Sequence, residues 1–348
     1  MESKHYAIVV GARPNFIKAA PFIKELQSRE GYTFDLIHTG QHYDKNMSES
    51  FFTALHIPKP HWTLTHQDLG GMIMELRTIF NTYHFHGVIL FGDVQSTLAG
   101  AVAAVAEGIK VYHVESGLRS YDKRMPEETN RIVVDHLAHT LFTSEPAGQE
   151  NLLKEGIHHE KIYHVGNIMI ETLENSMENI SNSTVVEDLR LTPKEYVVMT
   201  IHRQENLSET RLRKLVSLAQ SINRHMKVIL PLHPGTKAML EKCNIPQGDL
   251  MATEPQGYFD FMKLVTDSKG VITDSGGIQE ETTHLGIPCC TLRENTERPI
   301  TLILGSNKLF PESEEDPEKI LEHLGKTFPS RFVPFWDNNV TKRIFEIL

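Results

Sequence analysis

Short apolar runs alternate with helix-period segments along nearly the whole chain, and this alternation leaves little choice of fold. The first series of runs falls at residues 6–10, 33–38, 87–91, 110–114, 140–143 and 161–165, with helical stretches between most of them. A second series follows at 196–201, 227–230, 250–253, 270–273 and 289–292. Strands separated by helices run parallel and are covered on both faces. A length of 348 residues is comfortable for two such domains. The change after Gly166-Asn167 sets the expected boundary: residues 1–167 form a first domain and 168–337 a second.

Composition narrows the function. The net charge of −10 argues against the basic surface that nucleic acid or an anionic membrane requires. Cys243, Cys289 and Cys290 show neither metal spacing nor a disulfide framework, which fits a reducing cytoplasm. MESKHYAIVV runs directly into a strand, so no signal peptide is expected, and no apolar run approaches the roughly 20 residues of a membrane span. His136 and His139 share a helix face, but no carboxylate completes a metal site there, so no metal is expected.

The stretch 271–288, VITDSGGIQEETTHLGIP, carries the clearest chemical signal. A β-branched strand enters Asp274-Ser275-Gly276-Gly277, and a helical pattern from Ile278 stops at Gly286. Two glycines let a ligand approach the backbone. The free amides opening a helix carry about half a positive charge, so the turn is a seat for phosphate. Glu280 and Glu281 lie in the first two turns, within reach of a sugar hydroxyl beside that phosphate. Ligands of parallel sheets bind beyond the carboxyl ends of the strands. In the first half those ends carry Arg13, Gln41-His42, Asp93 and Glu115. In the second they carry His202-Arg203, His233 and Asp274-Ser275. RMPEETNR then places Glu127, Asn130 and Arg131 on one helix face, although Glu127 and Arg131 also have the spacing of an ordinary i,i+4 surface pair. Asp93 is open to a second reading as a helix cap, and His202 to one as a core histidine. No Gly-x-Gly-x-x-Gly follows the first strand, and there is no Walker sequence or Gly-x-Ser-x-Gly elbow. Nicotinamide binding, P-loop nucleotide hydrolysis and serine hydrolysis are therefore not expected.

Ten segments, taken in order, carry a resemblance: GARPNFIKAAP, TGQHYD, FGDVQST, HVESGLRS, PEETNR, VGN, TIHRQEN, LHPGT, TDSGGIQEE and TERP. Together they span most of the chain, and it resembles the non-hydrolysing UDP-N-acetylglucosamine 2-epimerase family. The resemblance implies an α/β GT-B fold of two doubly wound Rossmann-like domains facing across a cleft, with a final helix, 338–348, joined to the first domain. It implies that Ser275, Gly276 and Gly277 hold the diphosphate with help from Arg13, that Glu281 takes the ribose hydroxyls and that Phe261 lies against the uracil. Asp93, Glu115, Glu127 and His202 would surround the sugar, with Lys18, Arg131 and His233 nearby. The implied reaction removes the C2 proton as UDP leaves C1, then restores both from the opposite C2 face. It needs no metal and no redox cofactor. A cytoplasmic homodimer acting on a UDP-sugar is the implied setting.

Two departures qualify the resemblance. Some members are activated by a second UDP-sugar, bound through Gln-His-Arg after the second strand and an Arg-Gln pair further on. Here Gln41-His42-Tyr43-Asp44 and His66-Gln67 stand in those places, so Gln41 is kept and both arginines are absent. The opening GARPN, against GTRPE elsewhere, sets this chain in a different branch, for which a modified UDP-sugar such as a diacetamido-uronate is an alternative substrate. A GT-B glycosyltransferase and a hydrolysing epimerase remain competing readings. A transferase needs machinery for C1 alone and a surface for its acceptor, whereas three carboxylates and a histidine around the sugar favour the epimerase.

Overall fold

The first sheet is built from β1 (Lys4–Val10), β2 (Tyr32–His38), β3 (Trp62–Thr63), β4 (Gly87–Phe91), β5 (Val111–Ser116), β6 (Thr140–Thr143) and β7 (Ile162–His164). The second contains β8 (Tyr196–Thr200), β9 (Lys227–Pro231), β10 (Met251–Thr253), β11 (Gly270–Thr273), β12 (Cys289–Thr291) and β13 (Asn307–Leu309). This computed structural model describes residues 3–40 and 52–348, so Gln41-His42-Tyr43-Asp44 lies outside the described residues. The chain divides into two compact units, Met1–Asn175 with Pro334–Leu348, and Ser176–Val333. Each contains one of the sheets.

Every pairing is parallel, in the orders β3-β2-β1-β4-β5-β6-β7 and β10-β9-β8-β11-β12-β13. Each half is thus Rossmann-like, as the strand–helix alternation requires. Strand order reverses at β1/β4 in the first unit and at β8/β11 in the second. At such switch points the connections diverge to opposite faces and open a crevice at the strands' carboxyl ends.

The cores follow the residue patterns. Ala7, Val9, Val88 and Leu90 of the first sheet are buried against the small-residue helix Gln95–Ala106. A methyl at Gly100 would lie 2.6 Å from Leu90 Cδ2, so only glycine allows that helix to pack so closely. In the second unit Val197, Met199, Ile272 and Cys290 pack with Leu212, Leu215 and Ile222 of the helix Glu209–Asn223. Ser208 caps that helix, accepting from Arg211 N at 3.3 Å. Burial pushes the Cys289 thiol up to about 11, consistent with a cysteine that packs and does not react.

The helix Ile168–Ser181 follows the Gly166-Asn167 change and buries Ile168, Ile170, Leu173 and Ile180. Two boundaries differ from the sequence reading. The helix after β11 starts at Gly276, not Ile278, and ends at Gly286 in the left-handed conformation. β5 extends to Ser116 instead of stopping before Glu115. No helix among the described residues is long and apolar enough to cross a membrane.

His38, at the end of β2, gives a test of this packing. It is buried, its ring centroid lies 5.4 Å from that of Phe16, and its Nδ1 accepts from Gly40 N at 2.9 Å. Burial pushes its pKa from 6.5 down to about 4. Between those values the unfolded chain binds the extra proton, so stability rises with pH there. Acidification from about pH 6.5 to 4 should therefore cost on the order of 3 kcal/mol from this residue. His38→Gln cannot titrate and should show a shallower fall in melting temperature across that window. An unchanged slope would rule out His38 as its source.

Candidate active site

In the first unit the carboxyl ends of β1, β4 and β5 converge on a set of charged side chains. The turn after β1 is closed by Asn15, whose Oδ1 accepts from Gly11 N at 3.2 Å and Ala12 N at 3.3 Å. Its Nδ2 donates to Phe91 O at 2.9 Å, tying β1 to β4. Arg13 opens the next helix, Arg13–Gln27, and is half-buried. Lys18, on the same helix, is buried and ion-paired with Glu115.

Glu115 sits where the β5–β6 register shifts, with φ +68°. A left-handed backbone costs a non-glycine residue roughly 1–2 kcal/mol. Such strain gathers at functional sites, and a bulge re-aims the side chain it carries. Here it brings the carboxylate to Lys18. A methyl at Gly92 would lie 2.8 Å from Lys18 Nζ and 3.1 Å from Glu115 Oε2, so the pair packs directly on the turn after β4.

Asp93 follows that turn and does not cap the next helix, whose N-cap is Val94 with no side-chain bond. Its carboxylate is forked by Arg131, with Nε at 3.1 Å, and its carbonyl accepts from Asn130 Nδ2 at 2.9 Å. Arg131 also donates to Glu128 at 2.6 Å, which replaces the i,i+4 pairing with Glu127. Glu128 is a buried loop anchor, accepting from Ser120 N, Ser120 Oγ and Tyr121 N at 2.8–2.9 Å. Glu127, one turn below Arg131, is half-buried and makes no hydrogen bond or ion pair among the described residues.

The second unit assembles its groups around Asp274 at the end of β11. This fully buried carboxylate accepts from His202 N and Arg203 N at 3.0 Å, from Asn206 Nδ2 at 3.0 Å and from His202 Nδ1 at 2.8 Å. Burial alone would raise its pKa. The His202 ring, Asn206 and the Arg203 amide overcome that and hold it well below the ordinary carboxylate range. With Nδ1 fixed, His202 presents its Nε2 edge, and its side chain is 39% exposed. His233 caps the helix Pro234–Lys242 through Nδ1, and its ring centroid lies 6.0 Å from that of His202.

Beside Asp274, Ser275 stands before the helix Gly276–Leu285, and its hydroxyl makes no hydrogen bond among the described residues. The first amides of that helix, at Gly276 and Gly277, have no intrahelical acceptor. The Arg298 guanidinium backs the turn: a methyl at Gly276 would meet its Nη1 at 2.5 Å and Glu297 Oε1 at 2.8 Å. Glu280 is not solvated. It is buried and paired with Arg298 at 2.9 Å. Glu281, also buried, accepts from Tyr258 Oη at 3.1 Å. Tyr258 and Phe261 lie one turn apart on the helix Tyr258–Asp267, with Phe261 buried.

The sequence reading singled out neither Arg298 nor Asn15. Arg298 lies in the TERP segment, where a charged residue before a proline was the only signal. Asn15 lies in GARPN, where it reads as a turn residue and acts as a brace.

Residues 24–348 match the family described as UDP-N-acetylglucosamine 2-epimerase. The chain is 40% identical to a UDP-N-acetylglucosamine 2-epimerase of Methanococcus maripaludis, over 98% of this chain and 97% of that one. It is 35% identical to a UDP-2,3-diacetamido-2,3-dideoxy-D-glucuronate 2-epimerase of Pseudomonas aeruginosa, over 98% of each. Its structure is similar to that of the Methanocaldococcus jannaschii UDP-GlcNAc 2-epimerase in complex with UDP-GlcNAc and UDP, with TM-score 0.91, 33% identity and 99% of each chain covered.

Proposed function

The chain belongs to the UDP-N-acetylglucosamine 2-epimerase family, and from that premise we propose that it is a non-hydrolysing epimerase interconverting UDP-N-acetylglucosamine and UDP-N-acetylmannosamine, or a closely related UDP-2-acetamido sugar. The observation that carries the reading is the gathering of Asp93, Glu115 and Glu127 at the ends of β4 and β5 and the start of one helix, two of them against cations.

The C2 hydrogen of such a sugar is not acidic, so its removal is coupled to departure of the nucleotide. A carboxylate takes the C2 proton. The C–H electron pair becomes the C1–C2 double bond, and the C1–O pair leaves with UDP. Return of UDP oxygen to C1 and of a proton to the other face of C2 gives the epimer. Glu115 and Asp93, held by Lys18 and Arg131, are the groups we assign to the first step. Glu127, which makes no ion pair among the described residues, is assigned to return a proton. The amides of Gly276 and Gly277, with Arg13, hold the departing diphosphate. His202, steered by Asp274, serves the sugar or the leaving oxygen. Glu281 takes the ribose and Phe261 the uracil. A cytoplasmic homodimer belongs to the same reading.

Incubation with UDP-N-acetylglucosamine in D₂O tests it. Deuterium at C2 with the UDP-sugar retained is expected. Net release of free sugar would instead indicate a hydrolysing enzyme, and UDP release that depends on an acceptor, without C2 exchange, a transferase. A second expectation concerns the diphosphate seat. Gly276→Ala pushes a methyl into Arg298 and Glu297, both locked in buried ion pairs. The helix start must yield, and UDP affinity should fall about tenfold or more, near 1.4 kcal/mol. Calorimetric titration with UDP measures this, and wild-type affinity in that variant would remove the turn from the site.

A further inference from the structure

We propose that His113 is the positioning residue of this site, its ring clamping the turn that presents Asp93 to the helix that carries Glu127 and Arg131. The inference rests on the epimerase reading above and deepens it. His113 lies on β5 and is completely buried. Its Nε2 meets Gly92 O at 2.7 Å, and its Nδ1 meets Asp135 Oδ1 at 2.7 Å. The second oxygen of Asp135 accepts from Gly117 N at 3.1 Å and from Arg119 Nη1 at 2.7 Å. Arg119 in turn forks Glu155, with two bonds of 2.7 Å.

Two ends of this network stop at backbone near a candidate catalytic group. Gly92 precedes Asp93, and its φ of +62° makes the turn a glycine conformation that a bond to its carbonyl can hold. Gly117, at φ +79°, lies two residues after Glu115. Asp135 lies on the helix Pro126–Leu137, two turns from Glu127. One imidazole thereby sets the relative placement of three groups from three segments.

A carbonyl has no hydrogen to give, so Nε2 donates to Gly92 O, while Nδ1 lies against the Asp135 carboxylate. Arg119 is matched by Glu155. Burial alone would raise the Asp135 carboxyl, and His113 and Arg119 overcome it to keep it ionised. A buried network of this kind is rigid when every member is satisfied and fails when one is removed. A residue that only stabilised the fold would change melting without touching turnover. A positioning residue changes kcat, since a shift of about 1 Å in a reacting group costs roughly 10²-fold.

His113→Leu removes both ring contacts, while His113→Gln keeps one amide donor for Gly92 O. C2 exchange in D₂O, UDP binding and melting temperature are measured for both. The leucine variant is expected to lose about 10²-fold in kcat with KM within about threefold and UDP binding unchanged, and the glutamine variant to recover part of the loss. A folded leucine variant with kcat near wild type, or a loss lying wholly in KM, would overturn the proposal. Neutron diffraction from the wild-type protein gives a test that needs no variant: deuterium between His113 Nε2 and Gly92 O is expected, and its absence would overturn the proposal. Failure of the wild type to exchange C2 sinks the epimerase reading itself, whereas undiminished exchange by His113→Leu sinks only this inference.

Discussion

Glu115→Gln is expected to lower C2 exchange by about 10²–10⁴-fold while UDP still binds. The same change should cost stability, because the Lys18 ammonium is buried and would lose the charge of the Glu115 carboxylate it is paired with. Breaking a buried pair from one side costs about 3–5 kcal/mol. These two effects have different origins, and a second substitution separates them. Lys18→Met placed on Glu115→Gln removes the buried ammonium and replaces it with an apolar chain of similar length. Most of the lost stability should return, read by urea denaturation, while exchange stays absent. If Glu115 were only Lys18's structural partner, exchange would return with stability in the double variant. That outcome, or a single variant exchanging within about tenfold of wild type, would take Glu115 out of the chemistry.

The architecture was legible because it depends on local patterns. Apolar runs of four to seven residues separated by helices can close only into parallel sheets, and the C-terminal ends of those strands are where Asp93, Glu115, His202 and Ser275 stand. Two strands escaped notice, β3 with two residues and β13 with three, since runs that short have no periodicity to read. What the sequence could not show is pairing across distance. Lys18 meets Glu115 from 97 positions away, and Asp274 holds His202 from 72. No spacing rule links such residues. The bulge at Glu115 was equally hidden, because a strand with a re-aimed side chain has the same residue types as one without. Glu280 reads as a residue within reach of a sugar hydroxyl, yet it is buried against Arg298, 18 positions on. Phe261 entered through family resemblance alone, Glu281 also through its place in the helix after the glycine turn. Their burial beside Tyr258 is visible only in the folded unit.

Asp274→Ala should be among the most destabilising single changes in the second unit, by about 3–5 kcal/mol. The carboxylate collects two backbone amides, the Asn206 side chain and the His202 ring, and alanine leaves all of these buried or half-buried donors without their acceptor. Asparagine separates charge from shape. Its one oxygen can serve some of the donors, but its NH₂ faces others, so Asp274→Asn should fall between alanine and wild type at pH 7. The folded pKa of Asp274 lies below its unfolded value of about 3.9. Its stabilisation is therefore fully present above pH ~4 and is withdrawn as pH falls from there toward the folded value. Wild type should lose stability steeply below pH ~4, and Asp274→Asn, with nothing to titrate at this position, less steeply. Denaturant melts at pH 7 and pH 3, followed by a probe in the second unit, measure both slopes. Equal slopes would mean that other carboxylates account for the acid sensitivity. The same substitution loosens His202, whose Nδ1 then lacks the charged acceptor that orients it. Exchange in the asparagine variant should fall at pH 7, where the fold is intact, and a fully active Asp274→Asn would show that His202 needs no such steering.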